Sequence, residues 1–266
     1  MKFILRYSLL ALITIIFTSC SRNPVSGKKE LTLMSESQEL AMGQEADPQI
    51  QAQFGVYPDS SIQHYVNNLG QKLAKVSHRA NILYTFRVID SDVINAFAVP
   101  GGFIYITRGI LAYLNDEAQL AGVIGHEIGH IAARHSVKQQ RNAMLGQLGI
   151  IAGVVINPNL ARFAESASQG LGLLMLKFGR DDENQSDVLG ADYSTKLGYN
   201  AHSMGNFFTT LKRSSGETAG QLPEFLSTHP DPGNRNTHVQ QLADEYQKKY
   251  NITNPVLNRN AYLQKI

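Results

Sequence analysis

Only one cysteine occurs in the 266 residues, so no disulfide can form within the chain. A surplus of one charge is equally wanting: 24 Lys and Arg stand against 22 Asp and Glu. No basic field is left to hold nucleic acid. No apolar run reaches the roughly 20 residues that a membrane-spanning helix needs. The two nearest are Tyr7 to Phe17 and the glycine-rich "MLGQLGIIAGVVI", Met144 to Ile156, which Pro158 stops. Internal repeats are absent, and the length suits one domain with ample core.

The N-terminus reads as a leader. Lys2 and Arg6 give a positive start, and the apolar run ends in Thr18-Ser19-Cys20. Residues 1–19 are therefore expected to be a signal peptide. The sole cysteine closes "FTSC", which resembles a bacterial lipobox: the leader is cut before Cys20 and the cysteine carries lipid. Several acyl chains would hold the protein stably at a membrane surface. Loss of Lys2 and Arg6 leaves 22 basic residues against 22 acidic ones, a formally neutral chain. Ser21 after the cysteine resembles the outer-membrane retention signal of lipoproteins. Residues 20–34, with "SRNPVSGKKE", read as a polar tether.

The domain is expected over 35–250. Ser35 and Gln38 form a capping box that opens a helix ending near Asp47-Pro48. Ile62, Val66, Leu69, Leu73 and Val76 recur at helical spacing in a second. Three β-rich runs follow, "YTFRVID", "INAFAVP" and "GFIYITRGIL", divided by turn signals into a small sheet. Asn115 and Asp116 cap a long helix predicted from Glu117 to about Gln140. The rest reads as helices, the last near Asn234 to Tyr250, with 251–266 as an irregular tail. The fold class is α+β, mostly helical.

The long helix carries "GVIGHEIGHIAARH". His126 and His130, four residues apart, lie on one helical face and can offer two imidazole nitrogens to one ion. Glu127, about 100° round the axis, stands beside them, where it can take a proton from water. A zinc hydrolase needs a third protein ligand. His135 is five residues after His130, and Ala133 and Ser136 occupy the positions where a metzincin has Gly and His. That class is rejected, and His135 is placed on the exposed part of the helix. Glu183 in "GRDDENQSD" is the better candidate, because Asp187 follows it by four and can reach the second nitrogen of a ligand histidine. Glu165 is a rival without a carboxylate four residues on. Taken alone the pair would be read as a solvated acidic helix start; the upstream histidine motif is what favours the ligand reading.

These pieces, with "NPVSGKKEL" and "LSTHPDPGNR", occur in an order that resembles the M48 family of zinc metallopeptidases, in its bacterial periplasmic or outer-membrane lipoprotein branch. The resemblance spans most of Asn23 to Arg235. It implies a gluzincin-like fold with a small edge-exposed sheet packed on the zinc-binding helix. It makes His126, His130 and Glu183 the ligands of one Zn2+ per chain, Glu127 the general base and Asp187 the carboxylate behind a ligand. Asn95, Ala96, Phe97 and Ala98 would be an edge strand on which a peptide substrate adds. His229 would either donate to the oxyanion of the tetrahedral intermediate or fill the fourth zinc position and silence the enzyme. Arg235 is expected in a structural ion pair. Two departures from the family pattern are Gly179 for Ser, and Gln185-Ser186 for Glu-Ala.

The expected function is that of a lipid-anchored zinc endopeptidase of the cell envelope, facing the periplasm from the outer membrane. Its substrates would be unfolded or misassembled envelope proteins, in contact with outer-membrane assembly machinery. Residues 144–178 are expected as a helical cover over the site. The alternative is a chaperone or assembly factor for outer-membrane proteins that seldom cuts.

Overall fold

The computed structural model describes residues 20–32, 34–143, 145, 178–217, 224–230 and 234–266. The leader and nearly all of the expected cover lie outside the described residues. The chain opens with a hairpin, not a loose tether: β1 (Cys20–Arg22) pairs antiparallel with β2 (Lys29–Leu31). Buried Asn23 makes its turn by accepting the Val25 and Ser26 N–H groups on Oδ1. Its Nδ2 donates to the Ala133 carbonyl, 110 residues away.

Helix α1 (Glu36–Phe54) starts at the Ser35–Gln38 capping box. It runs through Pro48 instead of stopping there. An interior proline costs about 3 kcal/mol, but Asp47 and Ile50 on either side are buried against the sheet, and that packing prevails. Asp59 caps α2 (Ser60–Lys75), whose Ile62, Val66, Leu69 and Leu73 are all buried.

The sheet has strand order β3 (Thr85–Ile89), β5 (Phe103–Thr107), β4 (Ala96–Val99). β3 runs parallel to β5, and β4 antiparallel to it, with Ala96 opposite Ile106 and Val99 opposite Phe103. Alternate residues of β5 serve two cores. Ile104 and Ile106 join α2 and the central helix, while Phe103 and Tyr105 join Ile50 of α1. Both faces are thus covered, and every residue of β5 is buried.

The helical period resumes at α3 (Arg108–Tyr113), earlier than the strand-like "GIL" suggested, because Thr107 caps it. The central helix α4 (Glu117–Ala132) is capped by Asp116 and buried from Ala118 to its end. It does not continue to Gln140. Arg134 takes a left-handed conformation (φ 58°), and a separate helical stretch occupies 135–143. Distant groups cause the break. Arg79 Nη1 donates to the Ile131 carbonyl at 3.0 Å and Asn23 to that of Ala133, replacing bonds that a continuing helix would make. Arg134 is itself tied to buried Glu39.

Helix α5 (Arg180–Lys196) crosses α4 at very close range. A Cβ at Gly190 would sit 2.9 Å from the His126 nitrogen, and one at Gly125 would sit 3.1 Å from Gly190. The glycines of the histidine motif therefore serve helix contact. Helices α6 (His202–Glu217), α7 (Glu224–Thr228) and α8 (Arg235–Lys249) follow. The last residues are not an irregular tail. Val256 bridges to Tyr199, and α9 (Arg259–Leu263) buries Tyr262 completely in the main core. No helix among the described residues is long and apolar enough to cross a membrane.

Candidate metal centre

Helix α4 presents His126, Glu127 and His130, α5 presents Glu183 and Asp187, and the residue following α7 is His229. All six are buried to within 1 %. One ligand atom each from His126, His130, Glu183 and His229 gathers within 4.8 Å of the others. His126 Nε2 is 2.9 Å from His130 Nε2, 3.3 Å from His229 Nδ1 and 3.4 Å from Glu183 Oε2. Glu183 Oε1 is 3.1 Å from His229 Nδ1 and 3.4 Å from His130 Nε2. Ligand atoms at 2.0–2.1 Å on a regular tetrahedron are about 3.3 Å apart, so these separations suit one zinc ion.

The polar atoms ask for a cation as well. Both oxygens of Glu127 are buried without a hydrogen bond, the nearest cationic group being His229 Nε2 at 3.5 Å from Oε1. Glu183 Oε2 has only longer ion-pair contacts, to Arg235 Nη2 at 3.3 Å and His126 Nε2 at 3.4 Å. Buried carboxylate oxygens without hydrogen bonds cost free energy. Burial would raise the Glu183 carboxyl, but His229 and the hydrogen bonds of His126 and His130 hold it far below the usual range. Burial pushes the Glu127 carboxyl up, against the pull of His229 and His126. Glu127 is thus the more basic of the two carboxylates, as a proton acceptor should be.

Each histidine of the helix motif has a partner behind it. The Asp187 carboxylate, 2.9 Å from His126 Nδ1, accepts its proton and so makes Nε2 the nitrogen that faces the cluster, where without a metal it can donate to His130 Nε2 at 2.9 Å. Burial and the Arg235 charge oppose protonation of His126, yet the hydrogen bonds to Asp187 and Glu183 outweigh them, pushing the metal-free imidazole up to about 9. Arg235 holds Asp187 through Nε and Nη2, both at 2.7 Å, and lies 3.9 Å above the Phe208 ring.

Behind His130 stands His135. It is not on the exposed part of the helix but 1 % accessible, with Nδ1 3.0 Å from His130 Nδ1. The turn at Arg134 carries it there, and burial pushes it below the ordinary histidine range. Phe178, stacked on the His130 ring at 3.9 Å, roofs the other side. Neither role was read from the sequence. For His135 the "HxxxxH" spacing was the available signal; for Phe178 there was none.

Along the edge strand, Thr107 donates to the Asn95 carbonyl, so Asn95, Phe97 and Val99 bond to β5. Ala96 and Ala98 then direct their backbone groups outward. That edge is partly covered. Phe225 N–H donates to the Ile94 carbonyl, and His229 Nε2 lies 3.3 Å from that of Ala96. Phe97 is half-buried and stacks on Tyr105.

The model of Peptidase family M48 matches residues 60–243. The chain belongs to peptidase family M48. Its members are zinc metallopeptidases, and the buried His126, His130, Glu183 and His229 cluster can hold that one metal. The chain is similar to the beta-barrel assembly-enhancing protease of Yersinia pestis, 28 % identical over 234 residues, which cover 84 % of this chain and 47 % of that protein. The protein of that name from Escherichia coli K12 is 29 % identical over 230 residues, with the same coverage. The mitochondrial metalloendopeptidase OMA1 of Schizosaccharomyces pombe is 25 % identical over 243 residues, 88 % of this chain and 69 % of the relative. The chain spans about half the length of the bacterial relatives.

Proposed function

We propose that this chain is a zinc endopeptidase of the bacterial cell envelope, lipid-anchored through Cys20 on the periplasmic face of the outer membrane. Its substrates are unfolded or misassembled envelope proteins, and outer-membrane assembly machinery is its working partner. The observation that carries the reading is a buried Glu127 that accepts no hydrogen bond, with only His229 Nε2 at 3.5 Å, beside a convergent His126, His130 and Glu183 set. The names of the bacterial relatives support the setting.

Zinc held by His126, His130 and Glu183 would supply Lewis acidity, polarising a peptide carbonyl and making nearby water acidic. Glu127 takes the proton of the attacking water and later passes it to the leaving amine. The outward groups of Ala96 and Ala98 bind substrate backbone as an added strand, a mode that tolerates many side chains. Asp187 keeps His126 aimed at the metal.

His229 fits the silencing role better than the oxyanion role. Its Nδ1 lies among the donors, and its Nε2 points to the carbonyl that substrate would use. Substrate entry therefore requires His229 and the end of α7 to move away.

The test measures zinc content and casein cleavage by the full chain. Glu127→Gln should keep one zinc and lose activity by about 10²–10⁴-fold, and His229→Ala should cleave faster than wild type. Zinc without cleavage in every variant would favour the assembly-factor reading, and a folded chain without zinc would overturn both.

A further inference from the structure

The two histidines of the motif are backed differently, and the second backing is not a carboxylate. His130 Nδ1 faces His135 Nδ1 at 3.0 Å, and His135 Nε2 faces Gln185 Oε1 at 2.9 Å. Two imidazole nitrogens at that distance share one proton: bare, they repel, and doubly protonated, they clash. Which one carries it is decided at the far end of the chain. A carboxamide oxygen only accepts, so His135 Nε2 bears the hydrogen. Asp182 Oδ1, which accepts from Lys138 and lies 3.6 Å from the same nitrogen, favours the same assignment by its charge. In a neutral imidazole Nδ1 is then a lone pair. Ser186 Oγ lies 3.4 Å from that lone pair, but His130 Nδ1 is nearer at 3.0 Å and cannot face it bare. His130 therefore donates its Nδ1–H, which leaves His130 Nε2 bare among the metal donors.

Geometry maintains this relay from two sides. In an unbroken helix His135 would lie about 140° round the axis from His130. The left-handed Arg134, pinned through Glu39 with its neighbours' carbonyls taken by Arg79 and Asn23, brings it back. Phe178 stacks on the face of the His130 ring with 27° between the planes, so the ring has little freedom to turn.

We propose that His135, with Gln185, is a positioning residue that fixes the tautomer and aim of His130, as Asp187 does for His126. The inference rests on His130 being a zinc ligand, as in the function proposed above. Gln185 stands where the family has Glu, so the relay ends in a neutral acceptor. Replacing a group behind a ligand histidine typically costs 10–100-fold in metal affinity.

Zinc affinity of the full chain is measured by competition with a chromophoric chelator, and the His130 tautomer by ¹⁵N imidazole shifts in the metal-free protein. His135→Phe keeps the ring volume and removes the acceptor. Its zinc Kd should rise about 10–100-fold, and His130 should shift from the Nδ1–H toward the Nε2–H form. If that variant does not fold, Gln185→Leu leaves the imidazole in place. It should weaken zinc binding in the same direction by less, and relax the tautomer. A residue of purely structural value would lower the melting temperature and move neither readout. Wild-type zinc affinity in a folded His135→Phe, or an Nε2–H form of His130 in the wild-type chain, would overturn the proposal. A wild-type chain that takes up no zinc would overturn the metal reading beneath it instead.

Discussion

Two arginine–carboxylate forks in this molecule share one geometry and differ in surroundings. In both Arg235–Asp187 and Arg87–Asp47, Nε and Nη2 reach the two carboxylate oxygens at 2.7 Å. The first is sealed, with side chains 1 % and 0 % accessible. The second is 32 % and 12 % accessible and staples α1 to the sheet, where Tyr105 and Gln51 also donate to Asp47. A sealed pair forfeits several kcal/mol of hydration per ion, and an apolar replacement is often as stable. Stability alone therefore gives no reason to bury Arg235 and Asp187. The third partner does: Asp187 accepts from His126, whereas the third partners of Asp47 are only packing neighbours.

Breaking the sealed fork should have the largest effect. Asp187→Ala takes from buried Arg235 its two shortest bonds, leaving the longer contact with Glu183 at 3.3 Å, and removes the acceptor of His126. A loss of about 3–5 kcal/mol in stability and a 10–100-fold weaker zinc affinity are expected together. Urea unfolding of the metal-free chain reads the first, chelator competition the second. A stability loss with unchanged zinc affinity would reduce the sealed fork to a second staple and remove the contrast.

At the outer fork the same cut should cost less and leave the metal alone. Arg87→Met leaves Asp47 with two hydrogen bonds and some water, so about 1–2 kcal/mol is expected. Zinc affinity should match wild type. A change in zinc binding would mean that the sheet staple also sets the position of β4 against the site.

How far such differences can be read in advance depends on where the partners lie. The spacing of His126, Glu127 and His130 fixes their helical face locally, and the four-residue step from Glu183 to Asp187 does the same on α5. The capping groups Ser35 and Asp116 were legible for the same reason. The break at Arg134 was not, because its causes, Asn23 and Arg79, come from far earlier in the chain. That one omission put His135 outside when it belongs behind His130. Pro48 looked like a stop because propensity is local and the burial of Ile50 is not. The segment after Asn251 looked irregular because its order depends on Tyr262 reaching a core made of distant residues. His229 came from family resemblance, since nothing near it in sequence marks it for the cluster.

The smallest effect separates the forks by pH. Burial would raise the Asp47 carboxyl, but hydrogen bonds from Arg87 and Tyr105 outweigh it and the pKa is lowered. An unfolded aspartate titrates near 3.9. Above that value both states carry the charge, and the fork contributes fully. As the pH falls, the unfolded chain takes up its proton first, and the contribution fades through the lower folded value. The stability difference between wild type and Asp47→Asn should therefore be flat above about pH 5 and shrink below about pH 4. Urea unfolding with chelator present keeps metal release out of the comparison, and titrations remote from Asp47 cancel in the difference. In an Arg87→Met background the pH dependence should largely vanish, because the main opponent of protonation is gone. A gap that persists unchanged to pH 3 would mean that Asp47 is held by packing rather than by its charge.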